Sequence, residues 1–504
     1  MVVASRLMAA RAQERPEEPA FIVGADGRSM SWRALAAYAE RLRKLAAGRR
    51  LPVRARLGLV VADPLAFTAA YLGALAAGLT VVPVDPWLSA AECDAVLGRL
   101  RVDVVVTDAP AERWAAGRET WLAGRGRPVL GRAAVTAAWP SAGAAMRPAV
   151  LLTSSGTTGE PKGVPLSEGQ LLHAARRVAG HHRIGPGQRG YSPLPLFHVN
   201  AQVIGVLATL VSGASLVLDR RFEPDAYWSR VAEWSPTWLN TVPAVLAALM
   251  AQPAPPEAVA ARLRFARSAS APLPDVTRRA FAAHTGVGVL ETYGMTEAAG
   301  QITANPLDVA ARRDGSVGLP VGVRLAVVDT DGRPVPPGSP GMVVLRGRQV
   351  VGRYLELTGH GAETSRSARD ACGWLPTQDL GFRDEDGFVY LVGRADDVIN
   401  RGGEKVYPQE VENVLLGHAA VGSAAVVAAP HDRLGQVPVA FVTRRAHRAG
   451  PGLVEELYRL CERRLPRYKR PARIEIAAAL PTGPTGKVLR RTLRDDLLAL
   501  DGRR

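Results

Sequence analysis

Along the first 150 positions, apolar residues switch repeatedly between helical and strand spacing. Residues 32–45 carry apolar side chains at three- and four-residue intervals behind Ser31, a suitable N-cap, which predicts an amphipathic helix. Short apolar runs at 57–61, 80–84 and 102–107 predict strands, separated by helical stretches at 64–77 and 90–100. This βαβ rhythm predicts a mainly parallel sheet covered by helices. It resumes with a strand at 149–152, helices at 167–179 and 203–210, a strand at 215–218 and a further unit over 238–250. The pattern therefore predicts an α/β protein with two βαβ-type subdomains. From 313 to 354 it becomes β-rich, with turn signals at Asp331-Gly332, in the Pro/Gly cluster 334–341 and again at 384–387, which predicts a small β-barrel subdomain. The C-terminal stretch predicts a compact α+β unit: helices at 408–416 and 453–464, strands at 421–427, 437–444 and 473–477.

Composition narrows the function classes. A chain of 504 residues, 47% hydrophobic and 22% charged, has the make-up of a globular protein with several domains' worth of core. Cys93, Cys372 and Cys461 form no CxxC pair and have no histidine at ligand spacing, which argues against a zinc site or disulfide framework and for a reducing, cytoplasmic setting. The first twenty residues lack an apolar stretch of signal-peptide length. The apolar segment 203–218 is too short and too rich in Ser and Thr for a membrane span. A formal charge of +16 raises the question of nucleic acid, but the basic residues are scattered in small groups without interleaved aromatics, as on a solvated surface. Only five of the 63 basic residues are lysines: Lys44, Lys162, Lys405, Lys469 and Lys487. In a chain that otherwise uses arginine, those mark places where a compact, flexible ammonium is wanted.

The stretch 151–164 reads LLTSSGTTGEPKGV. No core needs so many hydroxyls and glycines together. Thr153, Ser154, Ser155, Gly156, Thr157, Thr158 and Gly159 offer backbone N–H groups and hydroxyl donors, and Lys162 adds a charge, which is the composition of a phosphate cradle. It is not a Walker A loop, because no GK[ST] follows the glycines. A flexible surface loop has a similar composition.

This stretch resembles the signature loop of the adenylate-forming superfamily, which includes acyl-CoA synthetases, peptide-synthetase adenylation domains and luciferases. Further segments resemble the same family in the same order. RSASAPLP at 267–274 resembles its adenine-contacting segment, which implies that Ser270, Ala271 and Pro272 lie against the purine. LETYGMTEA at 290–298 resembles the next motif, implying nucleotide contacts from Glu291, Thr292, Tyr293 and Gly294. Within it, Thr296 would contact the α-phosphate and Glu297 would hold Mg2+, although a Thr followed by acids is also an ordinary helix cap. The resemblance gives Asp379 the ribose hydroxyls and Arg394 a ribose or phosphate contact. The family reads TGD here, and this chain carries Gln378 in place of the glycine. His198, in PLFH, would form a wall or gate of the acyl pocket; a lone histidine beside an apolar run is otherwise a packed core residue.

Asp396 matches the family's hinge, which divides the chain into an AMP-binding part, 1–395, and a mobile C-terminal lid, 396–504. Lys487, in PTGK, would be the catalytic lysine; out of context it is a surface lysine. Gly402, Gly403 and Glu404 would enter the site for thioester formation, with Tyr468, Lys469 and Arg470 flanking the nucleotide of CoA.

The resemblance implies an acid–thiol ligase. A carboxylic acid would react with ATP to give an acyl-adenylate and pyrophosphate, and the thiol of CoA would then displace AMP. The alternative is a stand-alone enzyme that passes the acyl group to a carrier-protein thiol or to an amine. The pocket segments look small and apolar, which suggests an aliphatic or aromatic acid; no counter-ion for a charged tail stands out, although Arg267 is close. Oligomeric state is left open, a homodimer being allowed.

Overall fold

A computed structural model describes residues 3–108, 119–123, 130–133, 148–155, 161–356, 364–445, 452–483 and 488–501. Two large sheets dominate, each with nine strands among the described residues. In the first, the parallel strands Pro19–Val23, Ser215–Leu218, Arg189–Ser192, Trp238–Thr241, Ala266–Ser268 and Val289–Met295 lie side by side. Antiparallel strands close both edges, Ser29–Ser31 on one side and Gly300–Ala304 with Leu319–Pro320 on the other. In the second sheet, Val150–Ser155, Thr80–Pro83, Arg56–Val60, Val104–Thr107 and Glu119–Ala123 run parallel.

The local reasons are those visible in the chain. Ser31 accepts the backbone N–H of Ala34 and caps the helix Trp32–Gly48. Asp63 caps the helix Pro64–Ala76, whose proline sits in the first turn where its missing N–H costs nothing. Every residue of that helix is buried, so it shows no polar face.

Three features depart from the expectation. The first 150 residues feed both sheets, because Pro19–Val23 pairs with Ser215–Leu218. That partner lies almost 200 residues away, beyond any local pattern. The helix expected from 203 begins at Asn200, winds as a π-helix to Leu207 and continues as the α-helix Ala208–Ser212. Finally, Arg353–Glu356 leaves the β-rich region to pair with Pro161–Leu166 at the edge of the second sheet.

The remaining β-rich stretch forms a four-stranded antiparallel sheet of Arg324–Val328, Gly341–Arg346, Leu375–Arg383 and Val389–Arg394. The main hydrophobic core runs from Ala4 to Val389, with a smaller apolar cluster between Val60 and Leu355 beside it. Separate apolar clusters begin at Ile399, around the sheet formed by Ile399–Arg401, Glu404–Val406, Val421–His431, Gly435–Arg444 and Arg473–Ala477. The helix Pro408–Leu416 packs on this sheet, and its buried Glu412 receives Val426 N–H and a two-pronged contact from Arg490 Nη2 at 2.6 and 2.7 Å. Among the described residues, no helix is long and apolar enough to cross a membrane.

Candidate active site

The hydroxyl-rich stretch opens as one arm of a hairpin. Val150–Ser155 pairs antiparallel with Pro161–Leu166, with Thr153 opposite Gly163 and Ser154 opposite Lys162. Strand structure therefore runs through Ser155, three residues beyond the strand end expected at Leu152. Ladder pairing satisfies the backbone there, and threonine tolerates a strand. Gly156, Thr157, Thr158 and Gly159 lie outside the described residues.

Lys162 leaves this hairpin and reaches Glu297. Its Nζ stands 3.5 Å from Glu297 Oε1 and 3.8 Å from the centre of the Tyr354 ring. Burial pushes the Lys162 pKa down, Glu297 partly restores it, and Arg366 and Arg394 lower it further. Glu297 is 6% exposed and sits in a one-turn 3-10 helix, Thr296–Ala298. Tyr354 donates its hydroxyl to Glu297 Oε1 at 3.4 Å. No α-helix follows Thr296 for it to cap, and no side chain caps this turn. Gly294 meets a packing demand: a Cβ there would lie 1.9 Å from the Gly300 carbonyl oxygen.

A second cluster forms around Asp379. Tyr293, from the strand Val289–Met295, donates its hydroxyl to Asp379 Oδ2, and Arg394 Nη1 lies 3.3 Å from Oδ1. Burial and the neighbouring carboxylate push the Tyr293 phenol up, so it stays protonated and donates. Asp379 projects from an irregularity in the sheet, where Thr377, Gln378 and Asp379 oppose the single residue Val343. Thr377 Oγ1 stitches it, donating to Val343 O at 2.9 Å and accepting from Asp379 N at 3.0 Å. Gln378 adopts φ +65°, the left-handed region that glycine enters freely.

The segment expected to contact adenine follows the strand Ala266–Ser268. Thr292 Oγ1 donates to Ser268 O at 3.2 Å, and Asn200 Nδ2 donates to Ser270 Oγ at 3.2 Å. Ala271 and Pro272 continue the same loop. Burial pushes the Glu291 carboxyl up to about 8.

His198, Asn200 and Ser270 line a cavity of about 580 Å³ whose wall is otherwise largely apolar, including Leu194, Phe197 and Val245. Burial lowers His198 to about 4, so the ring is neutral, and its Nε2 has no hydrogen-bond partner among the described residues.

Gly402 and Gly403, at φ +61° and +93°, make the tight turn between Ile399–Arg401 and Glu404–Val406. Arg401 ties this turn to the Tyr468-Lys469-Arg470 segment, its Nη1 donating to the carbonyls of Arg467, Tyr468 and Arg470. Lys469 Nζ pairs with Glu410 at 2.6 Å. Asp396 sits in the turn Ala395–Asp397, 3.9 Å from Arg394 Nη2. Lys487 lies outside the described residues.

Several participants escaped the sequence reading. Tyr354 carries no motif of its own, and Arg401, although inside the stretch NRGGEKVYPQEVE, has no role assigned to it there.

Among the described residues, no cluster of three or more His, Cys, Asp or Glu could hold a metal alone. A lone buried carboxylate such as Glu297 suits Mg2+ carried on nucleotide phosphates, because such ions take one or two protein carboxylates and draw their other ligands from phosphate and water.

The chain matches the family model described as AMP-binding enzyme over residues 8–355 and that of the AMP-binding enzyme C-terminal domain over 410–487. It is 38% identical to a sulfoacetate–CoA ligase of Cupriavidus necator, covering 97% of this chain and 96% of that one. It resembles the ATP-bound crystal structure of MatB from Rhodopseudomonas palustris, with a TM-score of 0.85, 28% identity and 98% of each chain covered. It also resembles the o-succinylbenzoate coenzyme A synthetase (MenE) of Bacillus subtilis in complex with ATP and magnesium, with a TM-score of 0.81 and 27% identity over 97% of this chain and 99% of that one.

Proposed function

The chain belongs to the AMP-binding enzymes, and from that membership we infer that it is an acid–thiol ligase. A carboxylic acid and ATP give an acyl-adenylate and pyrophosphate, and CoA then takes the acyl group, giving acyl-CoA and AMP. The observation that carries this reading is the meeting of Lys162, from the hydroxyl-rich hairpin, with the buried carboxylate of Glu297.

In the first half-reaction a carboxylate oxygen attacks the α-phosphorus and the bond to the β-phosphate breaks. Two anions must approach, so the work is positioning and charge neutralisation. The stretch from Thr153 to Lys162 holds the β- and γ-phosphates, and Thr296 contacts the α-phosphate. Glu297 is the residue that would hold Mg2+, whose charge would offset that of the phosphates. Asp379, fixed by Tyr293 and Arg394, takes the ribose hydroxyls, while Ser270, Ala271 and Pro272 lie against adenine. Lys487 bridges the carboxylate and α-phosphate as charge redistributes.

In the second half-reaction the part of the chain after Asp396 turns, withdrawing Lys487 and presenting the Gly402-Gly403-Glu404 turn. The thiol sulfur attacks the adenylate carbonyl and AMP leaves. The separation of the apolar clusters between Val389 and Ile399 supports a division there.

A test is pyrophosphate release across a panel of carboxylic acids, followed by thioester formation with CoA. Lys487→Ala is expected to abolish adenylate formation yet spare thioester formation from supplied acyl-adenylate. Equal loss of both halves removes that role. Pyrophosphate release with transfer only to a carrier protein or an amine replaces CoA as the acceptor.

A further inference from the structure

Arg267 is among the largest fully buried side chains, 2% exposed, at the centre of the first sheet. An interior guanidinium normally faces a carboxylate, because an uncompensated buried charge is costly. This one faces amides. Its Nη1 donates to Asn240 Oδ1 at 3.1 Å and Asn200 Oδ1 at 3.2 Å, and its Nε to Gln301 Oε1 at 3.4 Å. Nη2 has no hydrogen-bond acceptor among the described residues. Burial alone lowers the group to about 9, with no carboxylate pulling it back.

The amides hold the guanidinium in place without neutralising it. Asn200 is the link to the cavity: it lines the wall beside Ser270, and its amide bonds both Ser270 Oγ and Arg267. Arg267 thus stands one side chain behind the wall, beside the carboxyl ends of the parallel strands, where open α/β sheets take their ligands. The guanidiniums that line the cavity itself, Arg220 and Arg221, are exposed, and Arg220 lies over the Trp87 ring.

We propose that the acid activated here carries a second anionic group, a carboxylate or sulfonate, at the end away from the reacting carboxylate, and that Arg267 receives it at the Asn200–Ser270 edge of the cavity. This rests on the ligase reading and specifies its substrate class. A planar guanidinium matches either oxyanion through paired hydrogen bonds. Asp85 and Asp219 also line the cavity, and the apolar part of the wall, including Leu194, Phe197 and Val245, accommodates the carbon chain between the two ends. The alternative is a purely structural arginine that stitches the sheet to the helix starting at Asn200.

The test compares kcat/KM for pyrophosphate release within length-matched sets: propionate, succinate and 3-sulfopropionate, then butyrate and glutarate. The acid with the terminal anion is expected to win by at least about tenfold, the lower range for a hydrogen bond to a charged group. The carboxylate and sulfonate members show which oxyanion is preferred. Arg267→Gln is expected to cut that preference at least about tenfold through KM, and Arg267→Lys by less. A structural arginine would lower both members of a pair together and leave their ratio intact, which overturns the proposal. Should Arg267→Gln not fold, the wild-type ratio and Arg267→Lys still decide. Turnover of monoanionic acids alone overturns this inference and leaves the ligase reading standing; no pyrophosphate from any acid overturns both.

Discussion

Tyr293 donates its phenol proton to the Asp379 carboxylate, joining the strand Val289–Met295 of the first large sheet to the four-stranded sheet. Arg394 engages the other carboxylate oxygen, so Asp379 is oriented before any nucleotide arrives. An ionised carboxylate accepts through both oxygens, the chemistry that two vicinal hydroxyls require.

Replacing Tyr293 by Phe removes that orientation and keeps the ring. AMP affinity is expected to weaken roughly three- to tenfold, the loss of about 1 kcal/mol typical of one hydrogen bond. Calorimetric titration with AMP measures it. Unaltered affinity would separate the Tyr293–Asp379 contact from ribose binding.

Glu297→Gln keeps the shape of the side chain and removes the charge facing Lys162 and any phosphate-bound magnesium. The magnesium concentration for half-maximal pyrophosphate release should rise about tenfold, the scale of one lost charge-assisted contact. An unchanged magnesium titration would move the metal away from Glu297.

Lys162 has an ammonium held below the ordinary lysine value of 10.5, because burial outweighs its contact with Glu297. On the alkaline side its charge is therefore lost earlier than for a free lysine, and KM for ATP should climb at a pH below 10.5. Lys162→Arg should flatten that limb, since a guanidinium stays protonated. Stability has the opposite slope. Between the folded value and 10.5 the unfolded chain holds a proton that the folded chain has released, so this group favours folding more as pH rises through that window. A KM for ATP independent of pH over that range would show that the Lys162 charge does not hold phosphate.

The βαβ rhythm, the capped helix after Ser31 and the hydroxyl-rich stretch before Lys162 were legible because each depends on neighbours in the chain. Asp379 and Arg394 could be named from motif resemblance, but their link to Tyr293 could not. It depends on which face of a strand meets another sheet, and no local spacing encodes that. Arg267 shows the same limit more sharply. In sequence it is an arginine close to the pocket segments with no partner to define it; its meaning comes from Asn200, Asn240 and Gln301 converging on it from three elements. The π-helical winding over Asn200–Leu207 was equally hidden, since periodicity separates helix from strand and not one helix from another.

Gln378 stands where the resemblance calls for glycine, and its φ of +65° shows why glycine suits the position. A residue with a Cβ in left-handed conformation costs roughly 1–2 kcal/mol, whereas glycine forfeits about 0.5–1 kcal/mol of chain entropy on folding. Gln378→Gly should therefore stabilise the protein by about 0.5–1 kcal/mol, while Gln378→Val, β-branched, should destabilise it. Denaturant unfolding of the two variants reads the difference. AMP affinity should stay within about twofold for the glycine variant, because Tyr293, Arg394 and the Thr377 hydroxyl hold Asp379 without help from the Gln378 side chain. A glycine variant that is less stable than the parent would mean the Gln378 side chain makes contacts worth more than the backbone strain. A large change in AMP affinity at unchanged stability would instead assign that side chain to the nucleotide.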